Sequence, residues 1–356
     1  MLGVTVSAAD GKPGDADVVS RGRRLVRRLA VVALSLVWWS AQAAGGGLAA
    51  LAIEGSGTPS PAARGTGHDA EWLGHAWVDG RKTQADVDAL AGQLRDTGIR
   101  DLFVHAGPFR DDGTLDPALR PQARWLTQAL HAALPGLRVQ AWLGAHPLPG
   151  ELDLGSATTR AAVVTSVGQV LDDGFDGVHY DFEPVRDGDP DLLTLLDASH
   201  AYTRGRQTVL SISAIHTEPL PGIAPTLAVL PWRLGLWSGD YVSQVARRVD
   251  QVAVMAYDTG LWTETTYSGY VRGATALALA AVPSDVELFI GVPAYHDQRF
   301  THHQDAETVR AALRGIRLAL GAHSPARSFG VAMYVDFAAT PSDWTSYRDG
   351  WANVRG

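Results

Sequence analysis

Asp173-Gly174-Phe175-Asp176-Gly177-Val178-His179-Tyr180-Asp181-Phe182-Glu183-Pro184 is the stretch on which the fold turns. Val178, Tyr180 and Phe182 alternate with His179, Asp181 and Glu183. That is the period-2 pattern of a strand with one apolar and one ionisable face. Residues two apart lie roughly 6.6 Å apart along a strand, so Asp181 and Glu183 point the same way at interacting distance. Pro184 has no N–H and disfavours continuation, which puts Glu183 at the strand's C-terminal end. A solvated edge, or a buried strand whose polar groups are merely satisfied, would give the same alternation. Two carboxylates crowded beside a histidine are costly to keep without a task, which favours a functional site.

Outward from this stretch the chain repeats strand, then helix. Strand candidates are 72–78, 99–106, 137–143, 175–183, 208–215, 251–257, 287–295 and 329–337. Helical stretches fall at 83–96, 117–133, 157–171, 189–203, 241–248, 267–281, 306–320 and 342–353. The second shows an apolar face in Leu119, Ala123, Leu126, Leu130 and Ala133, near 3.6 spacing. Gly98, Pro135-Gly136 and Gly174 stop helices just before strands. Eight such units predict a closed (β/α)8 barrel, the TIM-barrel fold of the α/β class, over residues 70–356. An open doubly wound sheet is the fallback. No Gly-x-Gly-x-x-Gly follows the first strand and there is no P-loop, so a dinucleotide fold has no support.

Composition narrows the class. A hydrophobic content of 46% and a charged content of 19% are globular values. The net charge of −8 argues against a nucleic-acid partner. With no cysteine there is no disulfide framework, thiolate nucleophile or Cys-ligated metal. Some of the eleven tryptophans would suit sugar stacking.

Residues 1–53 read as a basic segment followed by a signal peptide or transmembrane anchor. Arg21, Arg23, Arg24, Arg27 and Arg28 precede an apolar run from Leu29 to Trp39, then Ala41-Gln42-Ala43. That is the layout of a secretory signal with a small-residue cleavage site. No charge appears from Leu29 to Ile53, long enough for a membrane tether. Either outcome predicts a secreted or membrane-anchored protein with its barrel outside the cytoplasm. Residues 54–69, rich in Gly, Ser, Pro and Thr, read as a linker.

Functional groups of a barrel collect at strand C-termini. Here these are Trp77, Asp79, His105, Trp142, His146, Asp181, Glu183, His216, Tyr257, Asp258, Tyr295, His296, Asp297, Tyr334 and Asp336. Aromatics beside carboxylates suit a sugar, whose CH faces stack on rings and whose hydroxyls take hydrogen bonds.

Asp176-Gly177-Val178-His179-Tyr180-Asp181-Phe182-Glu183 resembles the D-G-x-D-x-D-x-E signature on strand four of glycoside hydrolase family 18. Met255-Ala256-Tyr257-Asp258 is similar to that family's M-x-Y-D on strand six. The segment from Glu287 to Tyr295 looks like its strand seven. The resemblance spans roughly residues 70 to 353 and includes chitinases and spore-cortex or peptidoglycan N-acetylglucosaminidases. It implies a (β/α)8 barrel that cleaves a polysaccharide bearing β-linked N-acetylhexosamine, with no cofactor. Three departures stand out: His179 holds the middle Asp position, Trp142-Leu143-Gly144-Ala145 replaces S-x-G-G, and Tyr334 replaces a strand-eight Trp. They bear on chitin as substrate more than on glycoside cleavage.

By this resemblance Glu183 is the general acid, Asp181 orients the substrate's 2-acetamido group and Tyr257 donates to its oxygen. The acetamido oxygen, not an enzyme nucleophile, attacks the anomeric carbon. Asp258 binds a sugar hydroxyl; Met255, His179, Trp142, Tyr295 and Tyr334 complete the substrate site. His179 either bonds Asp181 or is a satisfied core histidine. Asp176 secures the start of its strand. Two other classes stay open: a metal-dependent hydrolase using His105, His146, His179 and His216, and a carbohydrate-binding barrel without catalysis. A glycosidase with an enzyme carboxylate as nucleophile is the third variant.

Overall fold

The computed structural model describes residues 45–148, 150–217, 236–321 and 325–354. Eight parallel strands close a barrel: β1 (Asp69–Leu73), β2 (Ile99–Pro108), β3 (Arg138–Ala145), β4 (Gly177–Phe182), β5 (Val209–Ala214), β6 (Gln251–Met255), β7 (Glu287–Pro293) and β8 (Phe329–Tyr334). Each pairs with its sequence neighbours, and β8 returns to β1. The helices between them are α1 (Gln84–Leu94), α2 (Ala123–Ala133), α3 (Ala157–Asp172), α4 (Pro190–Gly205), α5 (Gly239–Ala246), α6 (Glu264–Ala281), α7 (Val309–Leu320) and α8 (Pro341–Tyr347). This is the (β/α)8 fold that the alternation predicts.

Local chemistry sets the helix starts. Ser156, Asp189, Ser238, Thr263, Thr308 and Thr340 each cap a helix by accepting a backbone N–H. In α7, Val309, Ala312, Leu313, Ile316 and Leu320 form one buried stripe. Most element ends shift by a few residues from the expected bounds, and two of the larger departures have a local cause. The strand expected at 72–78 is β1 at Asp69–Leu73, and His75–Trp77 is a 3-10 turn. Its start was masked by Asp69 and Glu71, charged residues that are buried nonetheless. The helix expected at 117–133 begins only at Ala123; Leu119, assigned to its apolar face, lies in a 3-10 turn and is exposed. Pro121 explains this, because the residue before a proline is steered away from helical backbone, and Arg120 has left it at φ −131°, ψ 50°.

The core has two shells. One lies between strands and helices; the other fills the barrel with Ala70, Trp72, Phe103, Trp142, Ala253, Phe289 and Ala332. A polar layer closes the N-terminal end. Arg138 Nη2 donates to Asp101 at 2.9 Å and Glu287 at 2.5 Å, and Gln140 Nε2 to Asp101 at 2.8 Å and Gln251 at 2.6 Å. With that end plugged, the hollows beside Asp181 and Glu183 lie at the other.

The barrel unit begins at Leu51. Residues 55–63, part of the stretch read as a linker, lie against α7, where Arg314 and Arg317 donate to the carbonyls of Gly55, Gly57, Ser60 and Ala63. The apolar run 29–39 and the Ala41–Ala43 cleavage motif lie outside the described residues. Among the described residues no helix is long and apolar enough to cross a membrane.

Candidate active site

Strand alternation in β4 sends Val178, Tyr180 and Phe182 to the helices and His179, Asp181 and Glu183 inward. Asp181 and Glu183 are common to two hollows at the strand ends. The smaller, about 90 Å³, is lined by Trp72, Ser213, His216, Met255, Tyr257, Asp258 and Tyr334 together with the pair. The larger, about 360 Å³, is bounded by His105, Phe109, Asp111, Trp142, His146 and Glu151. The two carboxyl groups therefore form the ridge between adjoining spaces.

Trp142 Nε1 donates to Asp181 Oδ2 at 2.8 Å. Asp181 Oδ1 is buried without a partner of hydrogen-bonding geometry, and Glu183 and Ser213 are the other polar side chains against this carboxyl. Burial pushes Glu183 well above the ordinary carboxylate range, and the adjacent Asp181 pushes it further. Burial raises Asp181 too, against the pull of the Trp142 hydrogen bond. Two carboxyls this close share one proton. Glu183, without the indole donor, is the one that keeps it.

Tyr257 stacks on Tyr334 at 5.3 Å between ring centroids and meets Tyr295 edge-on at 6.0 Å. Its ring fits because β7 has Gly291 opposite: a Cβ there would stand 2.9 Å from Tyr257 Cε1. Burial holds the Tyr257 hydroxyl protonated. Asp258 follows with a left-handed backbone, φ 59°. Its Oδ1 accepts from Tyr295 Oη at 2.7 Å and lies 3.5 Å from His302 Nδ1. Burial works against ionised Asp258, but His302 and Tyr295 outweigh it and hold the carboxyl below its ordinary range.

Asp181, Glu183, Tyr257, Asp258, Met255, Trp142, Tyr295 and Tyr334 are thus brought together, or contact a residue that lines the hollows. His179 is not with them. It sits one layer lower with no exposure, stacked on Phe103 at 3.9 Å and bonded to Ser211 at 2.5 Å and Ser213 at 2.9 Å. Burial pulls its pKa down to about 3, so it is neutral and gives no electrostatic push. Its expected place against substrate is corrected to the barrel core. Asp176 accepts from Val139 N at 2.8 Å and bonds His131 at 2.7 Å, tying β4 to β3 and α2. Sequence reasoning missed Trp72, Ser213, His302 and Glu307. Trp72 and Ser213 stand at inward strand positions, a parity that could have found them; the other two belong to an irregular loop.

The four strand-end histidines do not converge. His105 faces His75 at 3.1 Å, His146 bonds the Glu183 carbonyl at 2.7 Å, His216 bonds the Tyr257 carbonyl at 2.5 Å, and His179 is held by serines. Among the described residues, the cluster with metal-ligand spacing is His68, Asp101 and Glu287, at the barrel's N-terminal end. Arg138 bonds all three there, so a side-chain cation already occupies that place.

No family model matches the chain, and no curated protein does. Its fold has solved counterparts. The spore cortex-lytic enzyme SleL of Bacillus megaterium QM B1551 aligns with a TM-score of 0.56 at 11% identity, over 81% of this chain and 75% of that one. The Group IV chitinase of Ostrinia furnacalis gives 0.55 at 15% identity, over 80% and 99%. A chitinase from Chromobacterium violaceum ATCC 12472 gives 0.55 at 12%, over 80% and 98%. The chain has the barrel fold of these chitinases and cortex-lytic enzymes, in a form divergent in sequence.

Proposed function

We propose that the chain is an exported glycoside hydrolase that cleaves β-linked, N-acetylhexosamine-containing polysaccharide with retention and substrate assistance. The observation that carries this reading is the buried Asp181–Glu183 pair, indole-bonded on one side and faced by Tyr257 in a hollow at the strand ends. Protonated Glu183 gives its proton to the glycosidic oxygen as the C1–O bond breaks. The acetamido oxygen of the same sugar bonds to C1, forming an oxazolinium ion. Asp181, with one oxygen fixed by Trp142 and the other free, accepts the acetamido N–H and offsets the developing charge. Tyr257 donates its O–H to the acetamido oxygen. Water then attacks C1, breaking its bond to the acetamido oxygen, and gives its proton back to Glu183, restoring the acid. The two hollows either side of the pair supply space for the sugars flanking the cleaved bond. Export rests on the basic-apolar-small pattern of residues 21–43.

The test is release of reducing ends from N-acetylated and non-acetylated glycans, wild type beside Glu183→Gln, each with and without chelator. The expected result is chelator-resistant cleavage of acetylated substrates only, falling at least about a hundredfold in the variant. Wild-type rates in Glu183→Gln would remove the acid assignment. Binding without cleavage in both proteins would favour a carbohydrate-binding barrel instead.

A further inference from the structure

The loop after β7 forms a short hairpin, Gln298–Arg299 against His302–His303. His302 has no exposure, and the Glu307 side chain has none either. His302 Nδ1 lies 3.5 Å from Asp258 Oδ1 and 3.4 Å from Glu307 Oε2, and its ring stacks on Tyr295 at 4.2 Å. Neither ring nitrogen meets hydrogen-bond geometry, so the link to the carboxylates is one of charge rather than a directed bond. Glu307 in turn accepts from the backbone N–H groups of Thr259 and Gly260 and from the Thr259 hydroxyl, each at 3.0 Å. It thereby fixes the two residues that follow Asp258. Among the described residues, no Arg or Lys pairs with Asp258 or Glu307. Two carboxylates sharing a desolvated space need a cation or a proton, and His302 is placed to be that cation.

We propose that His302 is a positioning residue: a buried imidazolium shared by Asp258 and Glu307 that holds Asp258 ionised and fixed at the wall of the hollow. What Asp258 then does to a sugar hydroxyl rests on the function proposed above; the ion triad itself does not. Burial pulls the imidazole down, but Asp258 and Glu307 outweigh it and push it up to about 9. The other groups around the triad are Tyr295 beyond β7, Tyr334 at the end of β8, Tyr267 and Tyr270 from α6, His216 after β5 and Glu183 after β4, with Arg299 and His303 on the hairpin itself. Burial keeps all four tyrosines protonated. They add no charge near neutrality.

The experiment has two arms. Imidazole NMR of the full chain, titrated from pH 5 to 10, reads the His302 proton directly, with its signal assigned as the one that Glu307→Gln moves. The expected result is an imidazolium at pH 7.5 whose pKa falls in that variant; a neutral ring at pH 7.5 in wild type would overturn the proposal. This arm stands even if no glycan is cleaved. The second arm is a cycle of His302→Gln, Glu307→Gln and the double variant, read in kcat/KM on a cleaved glycan. His302→Gln should cost about tenfold or more, with a pH profile altered on its acid side as Asp258 becomes easier to protonate. The double variant, which removes a cation and an anion together, should lose less than the product of the single losses. Independent losses, or no change of profile in His302→Gln, would refute the positioning role. If His302→Gln does not fold, the NMR arm decides alone.

Discussion

At the scale of single residues, the site rests on making two adjacent carboxyls unequal. Burial disfavours charge on both, but the Trp142 indole N–H stabilises the anion of Asp181 alone. In the proposed mechanism, the proton that Glu183 keeps sets the alkaline limit of turnover. Asp181→Asn removes the negative neighbour and leaves the burial. Ionising Glu183 then becomes easier, its pKa falls, and the alkaline limb of the kcat–pH profile should move to lower pH. The profile of the variant beside wild type checks this; a limb that stays put, or moves up, would mean that Asp181 does not set the Glu183 proton affinity. These two residues were legible because alternation fixes which way a strand residue points. The depth of His179 was not legible, since inward parity is the same in every layer of the barrel. Nor was the Trp142–Asp181 bond, which depends on the β3–β4 register that sets Trp142 level with His179 and one pleat from Asp181. His302 comes from a loop with no period to read, and Glu307, inside the helix expected at 306–320, lies just before the start of α7.

At the scale of elements, alternation and helix amphipathicity were enough to mark eight strands and eight helices, because most have a buried face of uniform polarity. They failed where polarity and burial part company, as at β1, whose buried Asp69 is satisfied by Tyr347, Trp351 and the Val331 N–H. They failed again where Pro121 cut a helical pattern. The packing of strand against strand also limits what the site tolerates. Gly291 on β7 lies level with Met255 on β6 and Ala332 on β8. A methyl group there would stand 2.9 Å from Tyr257 Cε1 and 3.2 Å from the Val254 carbonyl oxygen. The backbone carbonyl cannot yield, so the ring must. Gly291→Ala should cost about 1–3 kcal/mol of stability through overpacking and, by shifting the Tyr257 hydroxyl, lower kcat by about tenfold to a hundredfold. Thermal melts and steady-state rates on one preparation separate the two effects. Full kcat with a lowered Tm would mean that Tyr257 is not held to its place by this wall.

Across the whole barrel unit, the two ends divide the labour: an ion network plugs one and the paired carboxylates occupy the other. Between them, on the outer wall, runs the segment 51–63. From Glu54 on it falls in the stretch 54–69, whose Gly, Ser, Pro and Thr content reads as a linker, because a chain held by its carbonyls shows no apolar period. It is held closely all the same. A Cβ on Gly269 would stand 1.9 Å from the Leu51 carbonyl oxygen, and one on Gly55 the same distance from that of Thr265. Arg314 reaches Gly55 O at 2.8 Å and Gly57 O at 2.8 Å; Arg317 reaches Ser60 O at 3.0 Å and Ala63 O at 3.1 Å. Hydrogen bonds from a charged donor contribute about 1.5–3 kcal/mol each when buried and less where water competes, as it does here. The double variant Arg314→Ala/Arg317→Ala should therefore lose about 2–4 kcal/mol, a fall of several degrees in Tm for a domain of this size. The segment's arginine contacts share no residue with the hollows beside Glu183, so kcat well below the melting temperature should not change. Limited proteolysis should cut within 51–63 first in the variant and not in wild type, since released backbone is what a protease needs. An unchanged melt with early cutting would place the segment outside the cooperative unit. An unchanged melt without it would mean that the glycine contacts with α6 are sufficient to hold the segment and the arginines add nothing.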